Sequence, residues 1–131
     1  MKRIKVILLG TALVSLLAGI ALVQQAYAAE AKEDAIKEVM KTYHKAPKGE
    51  DPVCKKAVDG KATAEEIKKL VAAYKTLAAA KAPRGDAASW KDKTSKLLAA
   101  AEGLEKGGTD GAAKYKAALN CKACHDLHKP E

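Results

Sequence analysis

A chain of 131 residues with 24 lysines and arginines against 16 aspartates and glutamates carries a formal charge of +8, and only 4% of its residues are aromatic. That length supports one domain. Scarce aromatic side chains and a preference for lysine over arginine argue against nucleic-acid recognition, which uses stacking platforms and arginine clusters; lysines solvating helix faces are the simpler reading.

The first element in chain order is an export signal rather than part of a folded domain. Lys2, Arg3 and Lys5 precede an apolar run over 6–23, and Ala26-Tyr27-Ala28 has the small-x-small form of a cleavage site. The pattern predicts removal of residues 1–28 and a mature chain, 29–131, beginning at Ala29. The alternative is an uncleaved anchor, since the 18-residue run just reaches bilayer-spanning length. Gly10, Thr11, Ser15 and Gly19 dilute the run and favour cleavage. Either way the remaining 103 residues, with a charge of +5, lie outside the inner membrane.

Those residues read as helical throughout, because alanine and lysine dominate and apolar residues recur at helical spacing. A first helix is expected over about 30–46, with Ile36, Val39, Met40 and Tyr43 on one face. Pro47, Gly49 and Pro52 interrupt it, and Val53 to Val58 resumes for two turns. Thr63-Ala64-Glu65-Glu66 forms a capping box that opens a second helix, whose Ile67, Leu70, Val71, Tyr74 and Leu77 point inward. After a turn at Ala82-Pro83-Arg84-Gly85, a third helix is expected over about 87–106. Ser89 and Asp92 are its candidate capping pair, and Trp90, Thr94, Leu97, Leu98, Ala101 and Leu104 its buried stripe. Glycines 107, 108 and 111 mark the next turn, and a fourth helix over about 111–127 carries Tyr115, Ala118 and Leu119. Four amphipathic helices with short links predict an all-α, antiparallel four-helix bundle.

The last helix also carries Cys121-Lys122-Ala123-Cys124-His125. Two thiols three residues apart share one face of a helical turn, where each can add to one vinyl group of a single haem. The histidine that follows is then placed to bind the iron as proximal ligand. Zinc would need four converging ligands from Cys121, Cys124 and two of His44, His125 and His128, and a thioredoxin-like pair would need a βαβ setting. With no phenylalanine and one tryptophan, Trp90, the polypeptide alone makes a thin core, so a porphyrin between helices would supply missing apolar area and the cofactor-free chain should fold poorly. Trp90 is read as core or as a wall beside that group. No phosphate loop or nucleophile elbow is present and the carboxylates are scattered, so enzyme chemistry is not expected.

An exported chain with this motif close to its C-terminus resembles the cytochrome c-prime superfamily, four-helix bundles with covalent haem on the last helix. The resemblance rests on Cys121-Lys122-Ala123-Cys124-His125-Asp126 and covers the mature chain in layout. In that family the first helix supplies the residue facing the distal side of the haem, and Ile36-Lys37-Glu38-Val39-Met40-Lys41 is similar to its pattern, with Met40 at the ligand position. The resemblance implies an electron carrier if Met40 binds iron, and a five-coordinate protein binding nitric oxide or carbon monoxide if it does not. Ile36 stands where the family often has an arginine near a haem propionate, which leaves that contact to a lysine. His44, one turn after Met40, is read as solvated beside Pro47, with iron ligation as its alternative. His128 is expected to be exposed, and Lys129 takes a position where the family often has a basic residue near the proximal pocket. Cys54 is read as buried near the bend, the alternative being a bond to another chain. The expected partners are periplasmic redox proteins, with transient association at an anionic membrane surface also compatible with the charge, and the chain is expected as monomer or homodimer.

Overall fold

The computed structural model describes residues 33–130, and the expected export signal lies outside them. The described residues are all-α: helix occurs over 33–43 (α1), Val53–Val58 (α2), Ala64–Ala79 (α3), Ala87–Glu105 (α4), Gly111–Ala118 (α5) and Cys121–His128 (α6), with no strand among them. None of these helices is long and apolar enough to cross a membrane.

Local chemistry starts and stops each element. Pro52 is the N-cap of α2, where its missing N–H costs nothing. The expected capping box at α3 forms in full: the Glu66 amide donates to Thr63 Oγ1 at 3.1 Å and the Thr63 amide to Glu66 Oε2 at 2.8 Å. At α4 the cap is Asp86, whose Oδ2 accepts from the Ser89 amide at 2.7 Å. Ser89 is therefore capped rather than capping, and Asp92 instead pairs with Lys96 one turn on at 2.8 Å. The first helix ends at Tyr43, three residues short of the expected end, four residues ahead of Pro47.

α3 and α4 form an antiparallel hairpin, with Lys75 facing Glu102 (3.8 Å) and the Trp90 indole N–H donating to the Ala80 carbonyl at 2.9 Å. α5 packs on α4, α6 touches α4, and α2 lies against α3 and α5. Leu70, Tyr74, Leu77, Ala101 and Tyr115 are at most 2% exposed and form the centre of the core, joined by Ile36 and Val39 from α1.

The expected single helix over 111–127 is two helices. An inverse γ-turn at Leu119 (φ −77°, ψ 63°) separates them, with the Asn120 amide donating to the Ala118 carbonyl at 2.9 Å. Asn120 then caps α6, its Oδ1 accepting from the Ala123 amide at 3.1 Å. An asparagine next to an apolar stretch is a start signal, and Asn120 is the residue from which this break could have been read.

Candidate functional site

Asn120 starts α6 so that Cys121 and Cys124 fall in its first turn, with His125 immediately after. Cys121 is exposed, Cys124 half-buried and His125 exposed, and neither cysteine is in a disulfide. Burial pushes the Cys124 thiol up from its ordinary pKa, with Lys93 opposing that shift.

Two cavities meet at this motif, of about 370 Å³ and about 390 Å³, and both lie within the size range of small-molecule sites. They share Met40, Trp90, Cys124 and His125 in their walls. The first also takes in Cys121, Cys54, His44 and the apolar Leu77 and Leu97. The second is floored by Ile36 and Pro83 and rimmed by Lys37, Lys41, Lys45 and Lys129. Lys37 and Lys41 are four residues apart on α1 and share one face, and Lys45 follows in the segment just after the helix. Glu33 is the acidic residue in that rim and pairs with Lys37 at 3.0 Å.

The predicted site residues are thus brought together: Met40 on α1 and His125 on α6 border the same space, with Trp90 as a wall between the cavities. Cys54 is buried, as expected, and faces the same cavity as Cys121. Burial first, and the neighbouring Cys121 second, push its thiol up. The zinc alternative loses its ligands, because no group of three or more His, Cys, Asp or Glu among the described residues is placed to hold a metal ion. The thioredoxin-like alternative lacks a strand among the described residues.

Two histidines differ from expectation. His44 is half-buried rather than solvated, and its Nε2 lies 3.2 Å from the Tyr74 hydroxyl, which is 2.6 Å from the Tyr115 hydroxyl. Burial pushes both phenols far above their usual range, so each keeps its proton. Tyr115 has Tyr74 as its hydrogen-bond partner, so Tyr115 donates to Tyr74 and Tyr74 donates to His44 Nε2. The opposite direction would leave the Tyr115 proton buried without an acceptor. His44 therefore carries its proton on Nδ1, and burial, followed by the nearby His125, lowers its pKa to about 4.

His128 is 2% exposed, not on the surface. Its Nδ1 lies 2.8 Å from the Arg84 carbonyl and its Nε2 3.1 Å from Ser89 Oγ. These partners are 44 and 39 residues away in sequence, which is why helical periodicity alone does not find them. No protein-family model, curated protein or solved structure matches the chain, so its chemistry is read from this site alone.

Proposed function

We propose that the chain is an exported, one-haem c-type cytochrome that carries electrons, built in the four-helix-bundle layout of the cytochrome c-prime superfamily. Cys121 and Cys124 hold the haem by thioether bonds, His125 is the proximal iron ligand and Met40 the distal one. The observation that carries this reading is that Met40 and His125, from opposite ends of the sequence, border the same pair of cavities as Cys124.

The residues present suit the group. Cys121 and Cys124 border the first cavity, and Cys124 also borders the second. Lysines stand at both (Lys93 and Lys96; Lys37, Lys41, Lys45 and Lys129), so thiols for the vinyl groups and cations for the two carboxylates of a porphyrin are both at hand. Leu77, Leu97 and Trp90 offer the apolar walls that keep water from its faces. When bound, the haem supplies a one-electron couple, which methionine ligation moves to higher potential. His44 holds its proton on Nδ1 and commits Nε2 to Tyr74, which favours Met40 over His44 as distal ligand. In this reading the part of the protein's own residues is to bind, orient and shield the group.

Mass spectrometry of the exported protein tests attachment, and one covalent haem on a chain lacking residues 1–28 is the expected result. Oxidised holoprotein should show a low-spin spectrum with a methionine-to-iron charge-transfer band that Met40→Ala abolishes. A mass without haem would overturn the reading. A high-spin spectrum with rapid carbon monoxide binding would replace the carrier by the five-coordinate, gas-binding alternative.

A further inference from the structure

Because the γ-turn at Leu119 interrupts α5 and α6, no continuous helix fixes the rotation of α6 about its own axis. That rotation depends on what grips its ends. Asn120 caps the first turn. At the far end, the link between α3 and α4 closes on the helix through several specific contacts.

Arg84 Nη2 donates to the Asp126 carbonyl at 3.0 Å. A carbonyl only accepts, so His128 Nδ1 carries a proton and donates to the Arg84 carbonyl at 2.8 Å. The other ring nitrogen, Nε2, is hydrogen-bonded with Ser89 Oγ at 3.1 Å. Trp90, a wall of both cavities, meets the His128 ring edge-on, with centroids 5.4 Å apart and planes at 75°. Gly85 permits the approach: its φ is +78°, and a Cβ there would stand 2.6 Å from the Leu127 carbonyl oxygen and 3.3 Å from His128 Nδ1.

We propose that His128 is a positioning residue for the His125 site: held between Arg84 and Ser89, it sets the rotation of α6 and so the direction from which His125 reaches the iron. The inference rests on the haem reading. His125 lies one turn before His128 on the same helix, and its carbonyl accepts the Lys129 amide at 3.0 Å. A helical side chain tip lies roughly 5–6 Å from the axis, so a rotation of about 20° moves it on the order of 2 Å. Ligand geometry tolerates only about 0.5 Å of such error. His128 therefore acts on the metal without touching it, and Trp90 extends the same contact to the cavity wall.

The test uses holoprotein and two independent ways of opening the contact. His128→Ala removes both hydrogen bonds, whereas Gly85→Ala presses the link away from α6 and deletes no polar group. Both should keep one covalent haem by mass, yet show a shifted or split electron paramagnetic resonance signal and a displaced midpoint potential. His128→Asn retains a donor near the Nδ1 position and should restore much of both signals. Lower melting temperature with an unchanged resonance spectrum and potential in both alanine variants would overturn the inference, leaving His128 a packing residue. If neither variant accumulates, Ser89→Ala, which removes one hydrogen bond, decides: a smaller shift in the same direction supports the role and no shift overturns it. A wild-type mass without haem would instead remove the haem reading, and this inference with it.

Discussion

α3 and α4 run for 16 and 19 residues and bury Leu70, Val71, Tyr74 and Leu77 on one side and Trp90, Thr94 and Ala101 on the other. α5 and α6 have eight residues each, below the roughly 12–15 at which an isolated helix becomes even marginal, and the one buried side chain of α6 is His128. The hairpin is held by apolar area spread over many residues. The site helix is held at its ends by a few polar contacts with defined partners. A stable scaffold can therefore carry a motif whose orientation depends on very few atoms, and damage in the two regions should look different.

The largest effect is expected inside the hairpin. Leu70 is fully buried, so Leu70→Ala should lower unfolding free energy by about 2–5 kcal/mol in urea titrations. If the proposed haem is bound, its spectrum in the folded fraction should stay unchanged, since Leu70 is not part of either cavity wall.

Acid tests the junction between the two regions, where His44 meets Tyr74. Folding lowers the His44 pKa from 6.5 to about 4, so as pH falls below 6.5 the unfolded chain takes up a proton that the folded one refuses. Stability is lost across that window and the loss is complete below about 4, amounting to at most about 3 kcal/mol at 1.36 kcal/mol per unit. Above 6.5 the group has no effect. Unfolding of wild type and His44→Gln at pH 7 and pH 4.5 checks this, and the variant should show a shallower drop.

A smaller effect separates the two caps. Thr63→Ala and Asn120→Ala should each cost about 1 kcal/mol at their own helix. Hydrogen exchange should place the Asn120→Ala loss in α6 alone, while Thr63→Ala should raise exchange through the whole hairpin. Smallest of all is Lys122→Ala. Its ion pair with Asp126 spans 2.6 Å, but the side chains are 85% and 56% exposed, so the melting temperature should not move.

The same contrast explains what could be read from the amino-acid order. The Thr63–Glu66 capping box, the two turns from Val53 and the inward stripe of α3 are local patterns, and the structure contains them. Cys121-Lys122-Ala123-Cys124-His125 is also a local pattern, whereas helical spacing alone makes Met40 a core residue; only the family resemblance singles it out, and the structure places it beside the same cavities as His125. Within α3, Ile67 is less buried than Leu70 and Val71, since it lies near the helix start. The Leu119 break was hidden because alanine-rich spacing continues on both sides of it. The places of His44, half-buried, and His128, buried, are hidden for a different reason: each is held by hydrogen bonds to residues at least 30 positions away, and no helical period encodes such a partner. Asp86 takes the cap of α4 because the helix begins one residue later, at Ala87, leaving Ser89 inside the first turn.

The inverse γ-turn at Leu119 has a bearing on the order in which the molecule is completed. Releasing α6 requires opening one cap and the contacts around His128, with little apolar surface exposed, and the hairpin and α5 need not follow. Residues 121–128 can thus open as one unit while α3, α4 and α5 stay packed. Under the proposed haem reading, such an opening would present both thiols as a short extended segment for attachment, and its closure would be the last step of maturation.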